Sequence, residues 1–127
     1  MRVFLVRHAH AAPGAPDELR TLTEAGLAAA QKLGAELAAE RPAAVVSSPL
    51  VRARQTAAEI ARAAGLDPEV DERLAPGATP VDLREAAEGR GDTIVAVGHQ
   101  PDCSHIVLAL TGRRVSFAPA HVEELTL

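Results

Sequence analysis

Residues 2–10, "RVFLVRHAH", join a short apolar run rich in β-branched residues to an Arg-His pair, with a second histidine two places on. The run is bounded by charge at Arg2 and Arg7 and reads as a buried strand. Side chains alternate along a strand, so His8 and His10 would share a face if the strand continued through them. Two further runs have the same character, "AAVVSS" from Ala43 and "TIVAVG" from Thr93. Helical patterns separate the three, and this alternation predicts an α/β fold with a mainly parallel sheet and right-handed crossovers.

The first helical pattern is "TEAGLAAAQKLGAELAAE", in which Leu27, Ala30, Leu33 and Leu37 share one face, Thr23, or Thr21 through Glu24, can cap the start, and Pro42 ends it. The second, "SPLVRARQTAAEIARAAG", opens with Ser48 as N-cap and Pro49 at the first helical position, and closes at Gly65. The segment "LDPEVDERLAPGATP" reads as a loop with a short edge strand over residues 69–71, followed by a short helix in "VDLREAAEG". A last helix in "HQPDCSHIVLALTG" ends at Gly112, and "HVEELTL" returns as a final strand whose Glu123 and Glu124 suit an edge. The stretch "AAPGAPDELR", from Ala11, reads as a mobile loop hanging over the end of the first strand.

A length of 127 residues predicts one domain over residues 1–127. Aromatic residues make up 2% of the chain and the net charge is -4, which argues against a nucleic-acid partner while leaving room for a local basic pocket. No apolar run approaches the roughly 18 residues of a membrane span, and the N-terminal run is too short for a signal peptide. A cytoplasmic protein without a membrane partner is expected. Cys103, the single cysteine, lies among apolar residues and reads as a buried structural thiol.

In open parallel sheets, ligands bind beyond the carboxyl ends of the strands. The first strand ends in Arg7-His8, the second leads into Ser47-Ser48-Pro49 with Arg52 close behind, and the third ends in Gly98-His99. Two arginines and two histidines therefore converge on one crevice. Guanidinium forks match phosphate oxygens and stay charged, and helix N-terminal amides add donors. An imidazole among them can attack phosphorus or carry charge.

The segments "VRHA", "SSPLVRARQT" and "VGHQPD" resemble, in order, the three signatures of the histidine phosphatase superfamily, also called phosphoglycerate mutase-like. The short chain, "RHA", and "RTLTEAG" after the first loop are most similar to its small SixA-like phosphohistidine phosphatase branch. The resemblance implies a three-layer α/β/α sandwich and a metal-independent phosphatase without cofactor. It makes His8 the nucleophile that forms a phosphohistidine intermediate, with Arg7, Arg52 and His99 holding the phosphoryl oxygens. Arg20 matches an arginine at the mouth of the site. Glu72, in "VDERLAPG", is the nearest counterpart of the carboxylate that serves mutase-like relatives as general acid. His10 departs from the acidic or polar residue found there in relatives and is a candidate substrate contact at the pocket edge.

Three functions fit these residues. A protein phosphohistidine phosphatase leads, because imidazole leaves without a strong acid and a short chain leaves an open site. A small-molecule phosphomonoesterase is the alternative within enzymes. A non-catalytic phosphate-binding module is the third. A metal site using His8, His10 and His99 is disfavoured by the cationic Arg7 and Arg52 beside it. His105 reads as a surface or packing residue, Arg54 and Arg62 as solvated, and His121 as a segment that could approach the pocket.

Overall fold

The computed structural model describes residues 1–127. Five strands form one sheet in the order β3-β2-β4-β1-β5. The strands are β1 (Arg2–Arg7), β2 (Ala44–Ser47), β3 (Glu69–Val70), β4 (Thr93–Gly98) and β5 (Val122–Thr126). All neighbours run parallel except β5, which returns antiparallel along β1.

The period of two in β1 divides the core. Val3 and Leu5 join Leu83, Ala86, Ile106 and Val107 on the face covered by α3 (Pro80–Ala87) and α4 (Asp102–Thr111). Phe4 and Val6 join Leu33, Leu37, Ala53 and Ile60 on the face covered by α1 (Glu24–Ala38) and α2 (Val51–Ala64). A sheet buried on both sides is the three-layer α/β/α sandwich expected from the resemblance. Each of the Val, Leu, Ile and Phe side chains among them, removed from water, stabilises the fold by about 1.5–3 kcal/mol before ordering entropy is counted. No helix is long and apolar enough to cross a membrane.

Helix α1 starts as its sequence predicts, with Thr23 Oγ1 accepting from the Gly26 amide at 3.0 Å. Of its expected buried face, Ala30, Leu33 and Leu37 are buried and Leu27 is not. Leu27 is 41% exposed, and Gly26 and Gly34 take the close contacts alongside Ala30, Leu33 and Leu37. A Cβ on Gly26 would stand 2.1 Å from the His10 carbonyl oxygen, and one on Gly34 would stand 2.9 Å from that of Glu59. Backbone approach at the two glycines, together with burial of Leu33 and Leu37, sets how α1 sits.

Helix α2 corrects a second expectation. It begins at Val51 with Leu50 as N-cap, two residues beyond the predicted Ser48. The Ser48 hydroxyl is used elsewhere, as described below. The edge strand β3 is one residue shorter than expected, because Asp71 turns out to cap a 3-10 turn over Glu72–Leu74. The loop after β1 is pinned rather than free. Ala11 pairs with Leu22, the Leu22 amide donates to Gln55 Oε1 at 2.8 Å, and a 3-10 turn forms over Asp17–Leu19.

Candidate active site

The parallel register sets Arg7 beside Gly98 and Ser47 beside Val97, so the next residues of each strand meet at one edge of the sheet. The ladder continues one step further: the His8 amide donates to Gly98 O at 3.0 Å and the Ser48 amide to Val97 O at 3.0 Å. His8, Ser48 and His99 are all buried there, and Arg52 reaches them from the first turn of α2.

The His8 ring is oriented by its own backbone. Nδ1 lies 2.7 Å from the Ala9 carbonyl oxygen, which can only accept, so Nδ1 carries the hydrogen. Nε2 therefore keeps its lone pair, and Arg52 Nε–H points at it from 3.3 Å. The Ala9 amide in turn donates to Thr56 Oγ1 on α2, which fixes the turn after β1.

His99 is set by a different partner. Its Nε2 is 2.7 Å from Ser48 Oγ, and the same oxygen accepts from the Leu50 amide at 3.2 Å. Nothing else in the protein accepts the Ser48 hydroxyl hydrogen, so the hydroxyl donates to Nε2 and the His99 proton sits on Nδ1. That Nδ1 is buried and unpartnered, as is Arg7 Nε. Leaving buried donors unpaired costs about 1–3 kcal/mol each, an unusual arrangement outside a binding site.

The two imidazoles lie 5.3 Å apart, ring centre to ring centre. Burial lowers both from 6.5 to about 4, assisted for His8 by Arg52, Arg7 and Arg20 against the opposing pull of the Ala9 carbonyl, and for His99 by His8 and Arg52. Both rings are thus neutral at neutral pH, one offering a lone pair and the other an N–H. Arg7 is held from behind, its Nη1 donating to Phe117 O at 2.9 Å.

The remaining predicted residues divide. Arg20 is at the site: it donates from Nε to Ala12 O at 2.9 Å and adds to the positive field on His8. His10 is exposed and its Nδ1 meets Thr23 Oγ1 at 3.0 Å, at the cap of α1. Glu72 is exposed in the 3-10 turn after β3, and its side chain makes no hydrogen bond or ion pair with the others. His8, His10 and His99 are not gathered into a metal-holding group. His121 stacks edge-on against Phe117, behind Arg7, and His105 is exposed. Cys103 is buried, and burial pushes its thiol up to about 12.

Sequence reasoning missed Asp17 and Ser48 as members of this cluster. Arg52 donates from Nη1 to the Asp17 carbonyl at 2.9 Å and from Nη2 to its Oδ2 at 3.1 Å, while Arg20 Nη1 donates to Oδ1 at 3.0 Å. The three-residue spacing of Asp17 and Arg20 could have suggested their pairing. Nothing in the sequence joins Asp17 to Arg52, 35 positions on.

The model of the histidine phosphatase superfamily, branch 1, matches residues 3–76. Comparison of the sequence with curated proteins gives no match. Among solved structures, the chain is similar to the protein histidine phosphatase SixA complexed with tungstate, at 26% identity and TM-score 0.87, covering 100% of this chain and 88% of that one. A putative phosphohistidine phosphatase SixA from Agrobacterium tumefaciens is 29% identical with TM-score 0.81, over 97% of this chain and 88% of that one. A mycobacterial glucosyl-3-phosphoglycerate phosphatase shares the fold at 19% identity and TM-score 0.72, over 97% and 88% of the two chains.

Proposed function

The chain belongs to the histidine phosphatase superfamily, and on that premise we propose that it hydrolyses phosphohistidine on another protein through a phosphorylated His8. One observation carries this reading: Ala9 O holds the His8 proton on Nδ1, which leaves Nε2 unprotonated, its lone pair accepting only from Arg52 Nε–H. The Nε2 lone pair attacks phosphorus and the leaving imidazole departs with the bonding pair. Water then attacks the phosphoenzyme, the N–P bond returns its pair to Nε2, and inorganic phosphate is released. Arg7, Arg52 and the His99 Nδ1–H hold the phosphoryl oxygens, where fixed positive charge and a neutral donor stabilise a loose transition state.

The substrate class follows from the proton supply. An ester oxygen leaves as an alkoxide and needs an acid, whereas an imidazole protonated on its other nitrogen leaves neutral. Both cluster histidines are neutral, and Glu72 is exposed and unconnected to them. The similarity to two SixA structures supports the same choice.

The test is trapping by rapid quench into alkaline detergent, in which an N–P bond survives, with a phosphohistidine protein radiolabelled in its phosphoryl group. Label should appear on the wild-type chain and vanish, with turnover, in His8→Ala; turnover without label would sink the mechanism. The ester reading predicts instead that Glu72→Gln removes activity on alkyl phosphates while sparing phosphohistidine.

A further inference from the structure

We infer that Asp17 selects the leaving group, its carboxylate favouring a departing nitrogen heterocycle that bears an N–H over a departing oxyanion; the inference rests on the phosphohistidine reading above. Arg52 spans the distance between nucleophile and carboxylate, its Nε 3.3 Å from His8 Nε2 and its Nη2 3.1 Å from Asp17 Oδ2. One guanidinium therefore separates the attacking atom from a negative charge. Asp17 also acts on the second imidazole, since its charge pulls against the lowering of His99.

The location matters because the floor of the site is closed. His8, Ser48, Arg52 and His99 are buried, whereas the Asp17 side chain is 60% exposed. In-line attack from His8 Nε2 drives the leaving group away from that floor toward solvent, and Asp17 is the exposed carboxylate bound to the same guanidinium that meets the nucleophile. Asp17 is ionised: hydrogen bonds from Arg20 and Arg52 hold its carboxyl below the usual carboxylate range. An ionised carboxylate cannot supply a proton to an ester oxygen, and it repels the charge that oxygen gains. It can accept from the N–H of a phosphorylated imidazole protonated on its other nitrogen. As the P–N bond breaks, its electron pair stays on the departing nitrogen, the N–H stays where it was, and a neutral imidazole leaves. Asp17 stabilises the cationic ring from which that departure occurs.

The backbone carbonyl of Asp17 also holds Arg52, so Asp17→Asn keeps that part of the clamp while removing the charge. The experiment compares kcat/KM for a phosphohistidine peptide and for p-nitrophenyl phosphate in wild type and Asp17→Asn, with thermal melting to confirm folding. The wild-type preference for the peptide should fall by about tenfold, the scale of one charge-assisted hydrogen bond. Equal losses on both substrates would make Asp17 a mere clamp for Arg52, and equal gains would make it a plug that phosphate displaces; either overturns the inference. A wild type without preference for the peptide would instead overturn the phosphohistidine reading.

Discussion

The Ser48 hydroxyl donates to His99 Nε2 across 2.7 Å, and by doing so it decides which nitrogen of His99 is free to meet a phosphoryl oxygen. Residues one step past the ends of two neighbouring parallel strands thereby share one proton assignment.

Ser48→Ala removes that donor and allows the His99 proton to move to Nε2. Turnover should fall by an order of magnitude or more, short of the roughly 100–1000-fold loss from deleting such a donor outright. Nitrogen NMR of the variant should show the His99 tautomer mixture shifting away from Nδ1–H. Unchanged tautomer with unchanged rate would remove Ser48 from the mechanism.

Arg52→Lys keeps the charge but loses the fork that meets His8 Nε2 and the carbonyl oxygen and Oδ2 of Asp17. A lysine ammonium cannot reproduce that planar set of donors. The expected loss in kcat is about 100–1000-fold, measured on any accepted substrate. A loss below about tenfold would mean that net charge alone suffices.

His8 and His99 titrate at about 4 in the folded chain and at 6.5 when free of it. Between these values the unfolded chain binds more protons on these two side chains, so their contribution to stability should be constant above pH 6.5 and fall as pH drops from 6.5 toward 4. Denaturant midpoints across that window, with His8→Gln and His99→Gln as controls, measure the slope. His8 and His99 resonances, assigned by their loss in the two variants, that titrate near 6.5 in the native protein would contradict it.

Gly26→Ala drives a methyl group against the His10 carbonyl oxygen, which is backbone and cannot rotate away. The helix must shift, at a cost of about 1–3 kcal/mol. Chemical denaturation should show it. Leu27→Ala, on the exposed flank of the same turn, should cost far less, although the sequence pattern ranks Leu27 as core.

Cys103 should resist iodoacetamide in the folded state, since its thiol is buried and raised to about 12. Rapid labelling with loss of activity, followed by mass spectrometry, would show that the α4 end of the site opens.

The three long parallel strands, the returning strand β5, the Thr23 cap and the gathering of Arg7, His8, Arg52 and His99 were legible because each depends on local pattern or on chain order. Strand period sets the two core faces, and a parallel sheet brings successive strand ends to one edge. The same logic misread Leu27 and Ser48. A helical wheel cannot register that two glycines let backbones approach, and a capping rule cannot register that a histidine 51 residues away takes the hydroxyl. The sequence by itself determined that Arg7, His8, Arg52 and His99 gather at one sheet edge. Only the tertiary structure decided their proton positions and brought Asp17 to Arg52, because a hydrogen bond between distant segments depends on ångström-scale placement that no local periodicity encodes.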